Sequence, residues 1–190
     1  MADEVARRLV HASGSAIPLS YVLGLAPWHQ VRLVLLAGAA VTVVLEFVRL
    51  VVGVEWVVFE TLTREYEQSN PAGYALYVVS GSLTGLAFAP RVAVPAILML
   101  TLADPISGLL GSDELRTVKR PRVLAVMFGT CALLAWSFVP PAVAVVGGLA
   151  GMLADGVKPV IAGYVIDDNF TIPLGAAAAM AAGLAVLAGV

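Results

Sequence analysis

LADPISGLLGSDELRTVKRPR, residues Leu102 to Arg122, begins as the tail of an apolar segment and ends as the most basic loop of the chain. Asp104 stands inside the apolar part, where an ionised side chain costs about 2.5–3.5 kcal/mol on insertion scales. A residue that unfavourable marks a use. Small residues follow (Ser107, Gly108, Gly111, Ser112), then the cations Arg116, Lys119, Arg120 and Arg122. Glycines let a ligand approach backbone N–H groups. Cations neutralise phosphate charge, and an acid beside them suits a divalent metal. The stretch reads as equipment for handling a phosphate and a metal ion at one face of a membrane.

Composition supports the membrane. Of 190 residues, 60% are hydrophobic and 13% charged, with mean hydropathy +0.94. A soluble domain is nearer half apolar and a quarter charged, so an integral membrane protein of one domain, residues 1–190, is expected. The net charge of −2 lacks the basic balance of a nucleic-acid binder. The single Cys131 lies in an apolar run, which excludes a disulfide framework and a cysteine metal site. The start, MADEVARRLVHASG, lacks the cationic, apolar and cleavage order of a signal peptide, so insertion falls to the membrane segments themselves.

A bilayer core takes about 20 apolar residues per helix. Seven candidate segments follow: Ser13–Ala26, Val31–Val52, Ala72–Ala89, Val92–Gly111, Val123–Val139, Ala142–Gly163 and Phe170–Val190. The first is short and contains Pro18, which suits a tilted or re-entrant element. Pro90-Arg91 and Pro140-Pro141 mark tight turns. The Ala/Gly-rich end, Gly175–Val190, suits close helix packing. The fold class is thus an all-α polytopic bundle of about seven transmembrane helices.

With the N-terminus in the cytoplasm, one side receives Arg7, Arg8, Arg64, the loop Ser112–Arg122 and the Tyr164–Asn169 loop. The other receives Arg32, Arg91 and the two proline turns. Cations favour the first side, as the positive-inside rule expects. The acids fall on that side too. Chemistry kept at one face suits an enzyme joining a cytosolic solute to a membrane-dissolved one, whereas a channel or transporter needs polar groups along its path.

Further polar groups divide between site and scaffold. Arg7 and His11 share a helical face, with Arg8 beside them and Ser13-Gly14 following, as a phosphate clamp or a cationic anchor. Glu46 and Arg49 at i,i+3 form a structural ion pair or a site wall. FETLTREYEQSN, Phe59–Asn70, reads as an interfacial helix whose Arg64, Glu65 and Glu67 are able to cap the site. Asp155 and Lys158 form another i,i+3 pair. Asp167-Asp168-Asn169 precedes the last apolar run, and one of them serves as its N-cap. Adjacent carboxylates repel unless a cation lies near. Mg²⁺ held by Asp104 with Asp167 or Asp168 and by substrate phosphates fits that ion's preference for few carboxylates. Trp28, Trp56, Trp136 and His29 read as interfacial or packing residues. Neither G-x-x-x-x-G-K-[ST] nor G-x-G-x-x-G occurs, which excludes P-loop and Gly-rich-loop phosphotransferases.

RRLVHASG, LADPISGLLG with its Lys-Arg sequel, and ADGVKPVIAGYVIDDNFTIPL together resemble the CTP-dependent polyprenol kinases. That family includes dolichol kinase and is related to phytol kinase and CTP-dependent diacylglycerol kinase. The likeness is greatest to compact archaeal dolichol kinase-like members and covers nearly the whole chain. It implies that CTP donates its γ-phosphate to a lipid alcohol with a divalent cation. The family's basic pair falls on Arg7 and Arg8, its histidine on His11, and its G-D-x-x-A-x-x-x-G nucleotide motif on Asp104, Gly108 and Gly111. Its following lysines fall on Lys119 with Arg120, and its closing acidic motif on Asp167, Asp168 and Asn169. Two departures stand out: Ala103 replaces a glycine, and no Lys-Ser-x-Glu-Gly follows Lys119.

The expectation is a multi-pass cell-membrane kinase with its site facing the cytoplasm. CTP and a long-chain isoprenoid alcohol are its partners, with membrane lipids around it, no nucleic acid, and room for a homo-oligomer. Catalysis is expected from Asp104, Asp168 and Asp167, with Asp168 as base. Mg²⁺ binds at Asp104, Asp167 and Asp168; CTP binds at Arg7, Arg8, His11, Gly108, Gly111, Lys119, Arg120 and Asn169. The alternatives are a cytidylyltransferase making a CDP-lipid, of the CDP-archaeol synthase type, and a small transporter or lipid-binding scaffold.

Overall fold

Glycine and proline divide the apolar sequence of this computed structural model into helices: α1 (Ala2–Ser13), α2 (Ala16–Val22), α3 (Trp28–Phe47), α4 (Gly73–Ala87), α5 (Pro90–Leu98), α6 (Asp104–Leu110), α7 (Pro121–Trp136), α8 (Pro141–Gly156) and α9 (Asp168–Ala188). Residues 1, 55, 58, 60–62, 64–66, 111–117, 158–159, 162–163, 166 and 190 lie outside the described structure, as do the side chains of 2–7, 160–161 and 164–165. Gly111, Arg116, Lys158, Arg64, Glu65 and the Arg7 side chain are therefore outside it. Helices α5, α7 and α8 open on proline, where the absent N–H has no helical acceptor to miss. Helix α3 continues through a wide π-helical turn, Val48–Val52, and stops at Gly53, whose φ of 73° is left-handed.

Helices α5 and α6 are joined by a second π-helical turn, Met99–Ala103, into one continuous helix, Pro90–Leu110. This is the centre of the bundle. Buried residues make up 72% of its apolar window, against 22% for Trp28–Val52 and 28% for Asp168–Ala188. Its neighbours are α1, α2, α4, α7 and α9. The main core packs Ala96, Met99 and Leu100 against Met127 and Cys131 of α7 and Ile172 and Met180 of α9. Helix α8 lies between α7 and α9. There a Cβ at Gly148 would come within 3.0 Å of the Ala132 backbone nitrogen, so glycine is what permits that approach.

These three continuous helices are long and apolar enough to cross a membrane. At 1.5 Å per residue, the 15 residues of α4 and the 16 each of α7 and α8 reach only about 22–24 Å. Helix α2, seven residues, ends the expected first segment far short of a span. The expected sixth segment stops at Gly156 rather than Gly163. Val157 leaves the helix to form an antiparallel bridge with Val118, and helices usually end before the residue preceding a proline, here Pro159. Beyond it, Val160–Ile161 and Tyr164–Val165 pair as a small antiparallel hairpin of two-residue strands, β1 and β2.

The outer surface is apolar as well. Leu33, Val41 and Phe47 on α3, Leu133 and Trp136 on α7, and Val186 on α9 are more than half exposed. A rim of this kind suits lipid and not water.

Candidate active site

The topology collects one end of several helices. The start of α7, the end of α8 and the start of α9 meet where Val118 pairs with Val157 and the Lys119 N–H donates to the Gly156 carbonyl at 3.2 Å. Asp104 opens α6 beside them, and α1 crosses the same region.

Three carboxylates converge there. Asp104, Asp155 and Asp168 each place one oxygen within 4.8 Å of the other two. They come from α6, α8 and α9, so no local spacing brings them together. Asp155 is fully buried. Its Oδ1 accepts from Lys119 Nζ at 2.6 Å and its Oδ2 from the buried Ser107 hydroxyl at 2.8 Å. Lys119 thus meets the carboxylate of Asp155, and carboxylates this close repel strongly at low dielectric when ionised. Carboxylate oxygens brought this close together are the hard donors that a divalent cation such as Mg²⁺ takes. The residues fit that ion.

Cations and a histidine approach from α1. Arg8 Nη1 donates to the Pro105 carbonyl at 3.2 Å. Its guanidinium lies over Gly108, where any Cβ would overlap it. His11 Nε2 is 3.1 Å from the Leu100 carbonyl and 3.6 Å from Asp104 Oδ2. A carbonyl only accepts, so Nε2 carries the proton. The carbonyl is available for a reason. In the π-helical turn the Asp104 N–H bonds to Met99 O, and the next residue, Pro105, has no N–H to offer Leu100. Tyr77 supports His11 from α4: its hydroxyl donates to the His11 carbonyl at 2.8 Å, and the rings pack edge-on with centroids 4.2 Å apart.

Asp167 lies outside the carboxylate trio. It is the N-cap of α9, its side chain accepting from the Asn169 N–H at 2.8 Å, while Asp168 Oδ1 receives the same N–H at 3.1 Å. Asn169 turns inward: Ser80 donates to its carbonyl at 2.6 Å, and its side-chain oxygen is buried without a hydrogen-bond partner. Arg120 is the N-cap residue of α7, next to Lys119. The member that sequence reasoning left out is Asp155, which it paired with Lys158. The available signal was its place on the face that carries Gly147 and Gly151, four residues apart, the buried side of α8.

Glu46 and Arg49 make a separate scaffold network. Arg49 bonds both carboxylate oxygens of Glu46, at 2.9 and 2.6 Å, and donates to the carbonyls of Glu67 and Asn70 at 3.0 and 2.7 Å. Glu46 also accepts from the Tyr74 hydroxyl at 2.6 Å and the Ala72 N–H at 3.1 Å. The pair ties the end of α3 to the start of α4, where Gly73 lies beside Asn169.

No protein-family model matches the chain, and comparisons with curated proteins and with solved structures found no match.

Proposed function

We propose that the chain is a CTP-dependent lipid kinase, transferring the γ-phosphate of CTP to a long-chain isoprenoid alcohol of the dolichol or polyprenol type. It works at the cytosolic face of a membrane, with the N-terminus cytoplasmic and about seven membrane-embedded segments. The short α4, α7 and α8 are accommodated by local thinning of the bilayer. One observation carries the proposal: Asp104, Asp155 and Asp168 converge within 4.8 Å beside Lys119 and next to the α1 residues Arg8 and His11.

Phosphoryl transfer is mostly positioning and charge stabilisation. Mg²⁺, when bound, supplies charge neutralisation for the triphosphate at Asp104 and Asp168. Lys119, fixed by Asp155, and Arg8, fixed by the Pro105 carbonyl, meet phosphate oxygens, with Arg7 and Arg120 close along the chain. His11 holds α1 against the π-helical turn, which sets Arg8 over Gly108. Asp168 takes the proton of the alcohol as its oxygen bonds to the γ-phosphorus; the bond from that phosphorus to the β-γ bridging oxygen breaks, and CDP leaves. Asp167 caps α9 and so aims Asp168.

The test uses purified protein in detergent with Mg²⁺, a polyprenol and CTP labelled at the α or the γ phosphorus. Label reaching the lipid from the γ position alone supports the kinase. Uptake of α label by a lipid phosphate moves the chain to the cytidylyltransferases. No transfer across several alcohols and nucleotides sinks both enzymatic readings and leaves the transporter or scaffold.

A further inference from the structure

Gly81 sits in the middle of α4, buried, and a Cβ placed on it would meet nothing within 4 Å. The other buried helical glycines among the described residues all have a neighbour against them: Leu35 at Gly85, Met180 at Gly147, Ala132 at Gly148, Cys131 at Gly151 and Leu124 at Gly156. Glycine inside a helix is less favourable than alanine, and at 81 alanine has room. Among the described residues no packing uses the missing side chain.

The space belongs to a cleft that encloses about 70 Å³, walled by α2, α3, α4 and the central helix, with Gly14, Leu35, Gly38, Gly81 and Ile97 among its lining. Three hydroxyl residues line it. Ser82 donates to the Leu35 and Val78 carbonyls at 2.8 and 2.7 Å, and Tyr77 donates to His11. Thr101 is 2% exposed and its hydroxyl has no partner. A buried hydroxyl left unpaired is unfavourable unless something else completes it.

We propose that this cleft holds the hydrocarbon tail of a single-chain alcohol, with the alcohol's head group completing the hydrogen bonding of Thr101. The inference rests on the kinase reading for the alcohol being the phosphoryl acceptor. Among the described residues no charged side chain lines the cleft, a lining that suits a hydrocarbon rather than a triphosphate. Asp104 follows the cleft-lining Leu100 and Thr101 by four and three residues, across the π-helical turn of the central helix. Tyr77 joins the two regions, lining the cleft and packing on His11. The enclosed space, about 70 Å³, is narrow, so only the isoprene units next to the hydroxyl enter it and the rest of a long chain lies in the bilayer. Selectivity then concerns those first units and not total length.

The experiment photolyses a geranylgeraniol analogue, bearing a diazirine on its tail, with the full chain in phosphatidylcholine nanodiscs, and maps attachment by mass spectrometry. Attachment on cleft residues such as Val34, Val78 and Ile97, competed by unlabelled geranylgeraniol and lowered about tenfold by Gly81→Leu, supports the proposal. Attachment spread over the lipid-facing sides of α7 and α9, or unchanged in Gly81→Leu, overturns it. Thr101→Val is near-isosteric and gives an independent arm: its half-saturating probe concentration rises about fivefold with folding retained, and an unchanged value overturns the role of Thr101. Attachment in the cleft without γ-phosphate transfer upholds the cleft and removes the kinase; transfer with attachment elsewhere does the reverse.

Discussion

Replacing Asp155 with alanine tests the core of the site without reference to any substrate. The side chain is fully buried and anchors two others, Lys119 at 2.6 Å and Ser107 at 2.8 Å. Removing one partner of a buried ion pair costs about 3–5 kcal/mol. The Lys119 side chain is 24% exposed, so its ammonium recovers part of that by turning to water, and the figure is discounted accordingly. The buried Ser107 hydroxyl loses its acceptor, worth about 1–3 kcal/mol. Together Asp155→Ala is expected to destabilise by about 2–4 kcal/mol, which for a chain of this size lowers the midpoint by about 4–16 °C. Asp155→Asn keeps the volume and one accepting oxygen for Lys119, and loses less. Thermal unfolding of purified protein in detergent, followed by tryptophan fluorescence, measures both. A double-mutant cycle with Lys119→Met isolates the pair, expected at about 1.5–3 kcal/mol for a charged hydrogen bond. An Asp155→Ala midpoint unchanged from wild type, or full additivity with Lys119→Met, refutes the pairing.

Gly108→Ala places a methyl group where the Arg8 guanidinium lies. Arg8 is flexible and gives way, so stability changes by less than about 1 kcal/mol while KM for CTP rises about tenfold; an unchanged KM removes Arg8 from the nucleotide site. Arg49→Met leaves Glu46 in a largely buried network without its cation and lowers stability by about 3–5 kcal/mol. The added substitution Glu46→Gln recovers part of the loss, and no recovery argues against the network as drawn. Chelation of divalent cations abolishes phosphoryl transfer and added Mg²⁺ restores it; transfer that persists in excess chelator contradicts the metal.

The parts of the fold legible in the sequence are those written locally. Asp104 in an apolar run, the prolines at 90, 121 and 141, and the Asp-Asp-Asn start of α9 each announce themselves through a cost or a cap. The end of α8 was less legible because Val157 pairs with Val118, 39 positions earlier (157 − 118 = 39), a contact no periodicity encodes. The partner of Asp155 was hidden for the same reason. Lys158, at helical spacing in the sequence, lies outside the described residues, and Lys119 meets Asp155 from across the bundle. Helix α8 does carry the clue, since its glycine face points inward and Asp155 continues that face. In Asp167 and Asp168 the sequence showed two acids without their division of labour. One caps α9 and the other joins the carboxylate trio, and that split depends on how the first turn of α9 winds.

The most direct test of the central claim is a Mn²⁺ titration by electron paramagnetic resonance, with a non-hydrolysable CTP present, on wild type and on Asp104→Asn, Asp155→Asn, Asp167→Asn and Asp168→Asn. The expected result is one ion per chain in wild type and in Asp167→Asn, with affinity lowered about tenfold or more in the other three. Full-affinity binding in Asp104→Asn, Asp155→Asn and Asp168→Asn, or no binding in wild type, would contradict a single cation site held by Asp104 and Asp168 and supported by Asp155 through Lys119.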